Sequence, residues 1–446
     1  MDQDVVAGEG LDSPLIGRGM REGAQMFRDW FSGLTEIAER GEGAVYVFVM
    51  GNLIEILRSF DMPVVFPEIN ALQTAIRRVS GEYLDEAEDY GFSPDICAYV
   101  KADVAIHLRD GQHPMVTVPK PSMAVLTNAC NTYIKWAEIW ERMFDVPCMV
   151  VDIPGSRSAG SQSITGGGDF ANEMKYIKAQ VKELIETCER VTGKKFDIDR
   201  LRQNMGYANR ITRAWRKVLD YNVSDPAVFN ALTDGTVYLG VGNCYGASEE
   251  GALFFERLEE EMAYRVANGI GATRNIDGVE ELAGQRFRLA FIGVPCYPIF
   301  KNFNDMFTKW GGVFVNSAYL TFASGGADIG FEYDLTNPID SITEGIMRRI
   351  RETMDQLFFG CPDIETAASR FGLDGIVYHP IKSCRTISSG LADRRHHIAE
   401  DLGLATLYVE SDMVDPRVVA EAQMRNRIDA FFEGLATRET LGRGAA

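Results

Sequence analysis

The most constraining feature of this 446-residue sequence is an alternation of short β-rich runs with helical segments, which occurs twice. The β-rich runs of the first part are residues 44–50, 62–66, 123–127 and 148–153. Those of the second part are residues 287–294, 312–316, 375–379 and 405–410. Strands that alternate with helices favour parallel sheets. The sequence therefore predicts the α/β class, with two parallel-sheet domains.

A helical pattern separates the two α/β parts. It begins after the glycine- and serine-rich segment 155–168, with apolar residues at helical spacing such as Phe170, Met174 and Ile177. A second helix is predicted at 200–219, with Phe196-Asp197 as its expected cap region. The predicted domains are a helical segment at 1–42, a first α/β domain at 43–165, a mainly helical domain at 166–285, and a second α/β domain at 286–446.

The charge balance excludes some classes of partner. Lys and Arg total 45 against 64 Asp and Glu, a net charge of −19. This balance argues against nucleic acid or an anionic membrane surface as the main partner. The sequence has no apolar run of the roughly 20 residues that span a bilayer, and its start does not resemble a secretory signal. We therefore expect a cytoplasmic protein with reduced thiols.

Three of the eight cysteines occupy positions where ligands gather in parallel sheets. Cys130 follows the β-rich run 123–127 and precedes a helix, and Cys384 follows the run 375–379 after a short loop. Cys97 lies where a loop enters a helix. Ligands of open α/β sheets bind at the carboxyl ends of strands. These cysteines are candidate ligands, although a cysteine at such a position is more often a core residue.

The surroundings of the three cysteines predict lowered thiol pKa values. A helix N-terminus stabilises a thiolate, and Lys382 and Arg385 flank Cys384 with positive charge. The thiolate is the form that binds metal. No CxxC spacing occurs, so the patterns of zinc ribbons, ferredoxins and thioredoxins are missing.

For most of the other candidate residues, the sequence favours a structural role. Cys148, Cys188 and Cys361 are interpreted as inert thiols, whereas Cys244 and Cys296 are placed in strand-end loops and are harder to dismiss. His379 is interpreted as a structural histidine. The Gly166–Gly168 run lacks the GK[ST] sequence of a phosphate-binding loop and is interpreted as a flexible loop.

Several segments together resemble the 2-hydroxyacyl-CoA dehydratase and benzoyl-CoA reductase family. They are SPDICAYVKAD around Cys97, LTNACNTYIKW around Cys130, YHPIKSCR around Cys384, MGNLIEILRSFDMPVVFPEINALQ, and LYVESDMVDPR. The resemblance runs from about residue 44 to 433. Within the family, KFDIDRL, Glu68-Ile69-Asn70 and ESDMVDPR resemble the larger substrate-side subunit of the ATP-dependent benzoyl-CoA reductase branch.

The resemblance implies a fold and a set of cofactors. The family fold is two flavodoxin-like domains plus a helical domain. Family members bind one [4Fe–4S] cluster through three cysteines, which by motif are Cys97, Cys130 and Cys384. The resemblance also implies a homologous second substrate-side subunit, two ATPase subunits that carry ATP and a further cluster, and ferredoxin as electron donor.

The substrate implied by the resemblance is benzoyl-CoA or a substituted benzoyl-CoA, reduced to a cyclic dienoyl-CoA. We expect the acyl-CoA in the cleft between the two α/β domains, with its thioester beside the cluster. The loops at 67–70 and 294–298 are candidate apolar walls. Glu68 is the candidate for a polar contact or a proton relay, with a surface or structural role as the alternative.

Three other functions remain open at this point. A dehydratase would remove water from a 2-hydroxyacyl-CoA with the same cluster, and it would need electrons only to start. An electron-relay subunit would hold a cluster for its partner and bind no acyl-CoA. A structural zinc protein would contain neither iron nor acid-labile sulfide.

Overall fold

A computed structural model describes residues 11–154, 170–276, 279–322, 331–358 and 362–443. The predicted loop at 155–168 and Cys361 lie outside these described residues.

The first α/β part contains a parallel sheet of four strands in the order β2-β1-β3-β4. Its strands are β1 Ala44–Val47, β2 Val64–Val65, β3 Pro121–Thr127 and β4 Cys148–Val151. Its helices are α1 Arg18–Glu39, α2 Ile54–Ser59, α3 Pro67–Ile76, α4 Ser80–Tyr90, α5 Ala98–Leu108 and α6 Asn131–Phe144. All four strands predicted for this part are present.

The middle of the chain is mainly helical, as predicted. Its helices are α7 Phe170–Thr192, α8 Ile198–Tyr221, α9 Thr233–Cys244 and α10 Glu249–Ala267. The expected cap is present, because the Asp197 carboxylate accepts hydrogen bonds from the backbone N–H groups of Asp199 and Arg200. Cys244 is the last residue of α9, so its predicted placement in a strand-end loop is wrong.

One element of the middle part was not predicted. Strands β5 Thr273–Ile276 and β6 Val279–Leu282 form an antiparallel hairpin. The sequence carries Asp277-Gly278 between these strands, a dipeptide that is typical of hairpins. The strands are short and bear many polar residues, which is why their apolar pattern is weak.

The second α/β part contains another parallel sheet of four strands, in the order β10-β9-β7-β8. Its strands are β7 Phe287–Gly293, β8 Gly312–Ser317, β9 Gly375–His379 and β10 Ala405–Tyr408. Its helices are α11 Phe300–Thr308, α12 Ala318–Phe322, α13 Pro338–Phe358, α14 Pro362–Phe371, α15 Arg385–Ser388, α16 Leu391–Asp401 and α17 Glu421–Arg443. Short 3-10 turns occur at Tyr297–Ile299 and Pro416–Val418.

The two sheets have the same topology. Counted along the chain within each sheet, the strand order is 2-1-3-4. The predicted class, two parallel sheets with a helical region between them, is confirmed. The order matches the first four strands of flavodoxin-like sheets. Among the described residues neither sheet gains a fifth strand, so the flavodoxin-like detail and the domain boundaries stay predictions.

The largest hydrophobic cluster joins all parts of the chain. It includes Phe31 of α1, Val47 of β1, Trp215 of α8 and Phe291 of β7, all buried. Helix α5 is buried at ten of its eleven residues, so it lies within this core. Among the described residues, no helix is long and apolar enough to cross a bilayer. The ends of both sheets are therefore fixed relative to one another by shared packing.

Gly293 provides a test of the register in the second sheet. It ends β7 with φ at +133°, and a Cβ there would lie 2.5 Å from the carbonyl oxygen of His379. We expect Gly293→Ala to lower the free energy of unfolding by about 2 kcal/mol, because both the backbone conformation and the close approach exclude a side chain. Urea titration measures this change. Gly284→Ala is the matched control, since no described atom lies within 4 Å of its added Cβ. Equal losses in the two variants would contradict the prediction.

Candidate functional site

Each of the three candidate cysteines immediately precedes a helix. Cys97 caps α5, Cys130 caps α6 and Cys384 caps the short helix α15. All three residues are partly buried and pack against the core. The chain therefore presents the three thiols at the starts of helices, as the sequence predicts for Cys97 and Cys130; the short helix after Cys384 was not predicted.

The structure brings the three cysteines together. The thiols of Cys384 and Cys130 each act on the pKa of Cys97, and Cys130 acts on that of Cys384, so all three lie within electrostatic range of each other. Contacts between their neighbours agree. The Cys130 Sγ lies 3.7 Å from the Thr386 Oγ1, and the Ala98 N–H donates to the Ser383 Oγ at 3.2 Å.

The predicted lowering of the thiol pKa values is wrong for two of the three cysteines. Burial raises the pKa of Cys97 well above its ordinary value, and burial raises the pKa of Cys384 to about 12. Backbone N–H groups at the helix starts oppose both shifts, but they do not outweigh the loss of solvent. The charge of Lys382 does not dominate, because its ammonium group pairs with Glu410 at 2.6 Å.

A buried carboxylate fixes α5 against α6. The Asp103 Oδ2 accepts hydrogen bonds from the indole N–H groups of Trp136 at 2.7 Å and Trp140 at 2.8 Å. Asp103 lies on α5, and both tryptophans lie on α6. Because each helix starts directly after a cysteine, these bonds also set the position of Cys97 relative to Cys130.

The placement of the possible metal-ligating side chains limits the kind of metal centre that they can hold. Among the described residues, no three Cys, His, Asp or Glu side chains are placed to hold a single metal ion. A single zinc ion needs its thiolates about 2.3 Å from one centre. A four-iron cluster makes a different demand, because each thiolate binds its own iron and the sulfurs stand further apart. Three thiols at helix starts, within electrostatic range, suit the second demand.

The contacts of the remaining candidates, Cys188, Cys296 and His379, are typical of residues with a structural role. Cys188 is buried in α7, and the buried Cys296 accepts a hydrogen bond from the Ser411 hydroxyl at 3.4 Å. His379 is also buried, with its ring nitrogens 2.6 Å from the Val294 carbonyl oxygen and the Ser411 Oγ. Burial lowers the pKa of His379 to about 4. These contacts agree with its interpretation as a structural histidine.

Glu68 is buried and lies in the first turn of α3, not in a loop as predicted. Its carboxylate accepts hydrogen bonds from the Val49 N–H at 2.8 Å and the Tyr133 hydroxyl at 2.5 Å. Burial raises the pKa of Glu68 to about 7, although both hydrogen bonds lower it in part. A surface role is thereby excluded, and a carboxyl with this pKa exchanges its proton near neutral pH.

A group of buried tyrosines, which sequence analysis missed, surrounds Glu68. Tyr133 donates a hydrogen bond directly to Glu68. Burial is the main cause that raises the pKa values of Tyr99 and Tyr319, and the charge of Glu68 helps to raise them. Tyr133 in turn lies close enough to Cys130 for that thiol to raise its pKa. Tyr99 and Tyr133 follow Cys97 and Cys130 by two and three residues, a spacing in the sequence that could have indicated them.

A cavity of about 310 Å³ opens beside this group. This volume is at the lower end of the range for ligand pockets, about 300–1,000 Å³. Ile69 and Tyr297, from the two segments predicted as walls, both line it, and Val49 and Tyr319 connect it to Glu68. The other walls were not predicted. They include Phe27 and Phe31 of α1, Val237 and Leu239 of α9, and Leu72 of α3.

Asn70 adds unused hydrogen-bonding capacity near Glu68. Its side chain is fully buried, and neither its oxygen nor its nitrogen has a hydrogen-bond partner among the described residues. Buried amides are normally satisfied by protein, water or a ligand. This amide can therefore bind a water molecule or a polar group of a ligand.

The fold and the site define a class: a two-sheet α/β protein with three helix-capping cysteines at one point and an apolar cavity close by. The family model described as "2-hydroxyglutaryl-CoA dehydratase, D-component" matches residues 54–435. The chain belongs to this family. The family relationship expected from the sequence motifs is confirmed.

Several relatives match nearly the whole chain. The B subunit of benzoyl-CoA reductase of Thauera aromatica is 30% identical over 414 residues, which cover 92% of each chain. The alpha subunit of (R)-2-hydroxyisocaproyl-CoA dehydratase of Clostridioides difficile is 26% identical, over 87% of this chain and 90% of the relative. The alpha subunit of (R)-phenyllactyl-CoA dehydratase of Clostridium sporogenes is 24% identical, over 86% and 88%. Each of these relatives is named as a subunit.

Glu68 generates a prediction for the pH dependence of stability. Its pKa in the folded chain, about 7, exceeds the ordinary 4.5. Its contribution to stability is therefore fully present below pH 4.5 and is lost as the pH rises through about 7. The difference between the two pKa values corresponds to a change of at most about 3 kcal/mol in the free energy of unfolding. Glu68→Gln stays neutral; its amide oxygen can accept from the Val49 N–H and its amide N–H can donate to the Tyr133 hydroxyl. Its free energy of unfolding should therefore fall less than that of the wild type between pH 5 and pH 8.

Urea titration at both pH values measures this difference. Glu138→Gln is the control, because Glu138 lies on the surface of α6 and its pKa is lowered by the hydrogen bond from Lys135. It should follow the wild type over this range. Identical pH profiles for Glu68→Gln and the wild type would show that Glu68 titrates as an ordinary carboxyl.

Proposed function

We propose that this chain is the iron–sulfur subunit of an ATP-dependent benzoyl-CoA reductase. Cys97, Cys130 and Cys384 would hold one [4Fe–4S] cluster, and the complex would reduce the aromatic ring of benzoyl-CoA or a substituted benzoyl-CoA to a cyclic dienoyl-CoA. The observation that carries the proposal is the grouping of these three thiols from distant parts of the chain. The relative from Thauera aromatica, named as a benzoyl-CoA reductase, supports the choice of reaction.

When bound, such a cluster supplies single electrons at low potential. The chain's own residues have other tasks in the proposed reaction. The phenylalanines and aliphatic side chains of the cavity would hold the aromatic acyl group and exclude water from it. The thioester would then lie towards the cysteines.

Glu68 is the proposed proton relay. Ring reduction by two electrons also consumes two protons, so the site needs a group that exchanges protons at neutral pH. The Glu68 carboxyl has a pKa of about 7 and bonds to Tyr133, and Val49 links it to the cavity wall. Tyr133 would keep its own proton and hold the Glu68 carboxylate by its hydrogen bond, and Glu68 would take its next proton from water before the second transfer.

The proposed complex needs other chains. The sequence contains no GxxxxGK[ST] motif, so we assign ATP and a further cluster to two ATPase subunits. A homologous second substrate-side subunit and ferredoxin as electron donor complete the proposal. The relatives are themselves named as alpha or B subunits, which supports a complex of several chains.

A second candidate function is dehydration of a 2-hydroxyacyl-CoA. The two relatives that are named as dehydratase alpha subunits favour it, as does the description of the family. The same cysteines and the same carboxyl would serve this reaction, since removal of water also requires a proton donor. A third candidate, an electron-relay subunit, would bind the cluster and no acyl-CoA.

The ligand assignment predicts the iron content of variants. We expect Cys97→Ala, Cys130→Ala and Cys384→Ala each to lose most of the iron and acid-labile sulfide of the anaerobically purified complex, because two thiolates hold a cluster poorly. Cys188→Ala is the control, since this buried thiol lies in α7 away from the group, and it should keep the wild-type content. Wild-type iron in any of the three site variants would refute the assignment.

The electron count separates the proposed reactions. With limiting reduced ferredoxin and ATP, a benzoyl-CoA reductase forms one dienoyl-CoA for every two electrons, whereas a dehydratase forms many products per electron. We expect the first stoichiometry for the complex with its neighbouring subunits. Product from 2-hydroxyacyl-CoA at catalytic amounts of reductant would select the second function, and binding of neither acyl-CoA would select the relay.

A further inference from the structure

The turn between β9 and α15 carries Cys384 and is tightly closed. We call residues 381–388 the Cys384 turn. The Ile381 N–H donates to the Ser388 Oγ at 2.8 Å, and the Ser388 hydroxyl donates to the Ile381 carbonyl at 3.0 Å. The Cys384 N–H donates to the same carbonyl at 3.1 Å. These bonds make the turn one unit, so a contact made by any of its side chains also positions Cys384.

Ser383 connects this turn to the helix of Cys97. Its hydroxyl accepts a hydrogen bond from the N–H of Ala98, the first residue of α5, although the two residues are 285 positions apart. The first N–H groups of a helix have no partner within the helix and need an acceptor. Ser383 thus acts as a helix cap that is supplied from the other half of the chain.

A buried carboxylate holds Ser383 in this position. The Asp412 Oδ2 accepts hydrogen bonds from the Ser383 hydroxyl at 2.6 Å and the Ser383 N–H at 2.9 Å. Its Oδ1 accepts from the N–H groups of Val414 and Asp415. Asp412 is fully buried, and these four bonds compensate its charge. The Ser383 hydroxyl proton is committed to Asp412, which leaves its oxygen free to accept from Ala98.

Thr386 connects the same turn to the helix of Cys130. Its hydroxyl donates to the Asn131 Oδ1 at 3.3 Å, and its Oγ1 lies 3.7 Å from the Cys130 Sγ. A metal-bound sulfur can only accept a hydrogen bond, so with a cluster bound the Thr386 hydroxyl would donate to the Cys130 sulfur in place of the Asn131 oxygen.

We propose that Ser383 and Thr386 are positioning residues that hold the three cysteines in register, each joining the Cys384 turn to one of the other two cysteine helices. Asp412 keeps Ser383 in place. With a cluster bound, the Thr386 hydroxyl would donate its hydrogen bond to the Cys130 sulfur. This inference rests on the proposed function for its meaning in catalysis, but the two connections exist in the chain without any cofactor.

The first experiment therefore uses the cofactor-free full chain. Ser383→Ala should raise the rate at which iodoacetamide alkylates Cys97 and Cys384 by about fivefold, the size expected for the loss of one helix cap. Mass spectrometry of peptides measures the rate at each cysteine, with Cys188 as internal reference. Ser389→Ala is the matched control, because its hydroxyl donates to Arg385 in the same region and contacts no cysteine.

The second experiment uses the complex after anaerobic loading with iron and sulfide. Thr386→Val removes the hydroxyl at nearly constant shape, whereas Thr386→Ser keeps it. A hydrogen bond to a ligand sulfur stabilises the more negative, reduced state of a cluster and raises its reduction potential. We expect Thr386→Val to shift the midpoint potential to a more negative value and Thr386→Ser to restore it. Thr437→Val on α17 should leave the potential unchanged.

The outcomes separate this inference from the proposed function. Wild-type alkylation rates in Ser383→Ala, or a wild-type potential in Thr386→Val, would overturn the assigned role of that residue. A wild-type chain that takes up no iron would overturn the proposed cluster. In that case alkylation of Cys130 in the cofactor-free Thr386→Val variant decides the role of Thr386: a faster rate supports it, and an unchanged rate refutes it.

Discussion

The arrangement of this protein depends on the convergence of three chain segments that each pass from a loop into a helix at a cysteine. Asp103 joins α5 to α6 through two tryptophans, and Ser383 joins the Cys384 turn to α5. Thr386 completes the set by its contact with Cys130. Each connection is a buried or partly buried hydrogen bond. Breaking one leaves a polar group without compensation, which makes the convergence specific.

Burial also decides the chemical state of this site. A helix start favours a thiolate, yet removal from water favours the thiol, and for Cys97 and Cys384 the second effect is larger. Binding of metal would therefore have to displace protons from these sulfurs, which couples loading to pH. The same lack of solvent raises the pKa of Glu68 to about 7. One cause, burial, thus raises the pKa of two thiols and one carboxyl in the same part of the molecule.

Much of the fold could be predicted from the sequence because its signals are local. The eight strands of the two sheets follow from β-rich runs, and the cap at Asp197 follows from residue type. The β5–β6 hairpin was missed because its strands are short and largely polar. Cys244 was misplaced because the end of α9, with three glycines in ten residues, has a weak helical pattern. Glu68 was assigned to a loop because Pro67 can equally mark a turn.

The class of fold, the family, and the positions of Cys97 and Cys130 before helices and of Cys384 after a strand could be read from the sequence alone. Those features depend on neighbouring residues and on motifs that keep the family's order along the chain. Three further features appear only in the folded chain: the Cys384 turn meets α5 and α6, Phe27 of α1 and Leu239 of α9 line the cavity, and the pKa of the Cys97 thiol rises. Desolvation and long-range contacts depend on all the atoms around a residue, and most of these atoms belong to residues that are distant in the sequence. A local sequence pattern therefore cannot predict them.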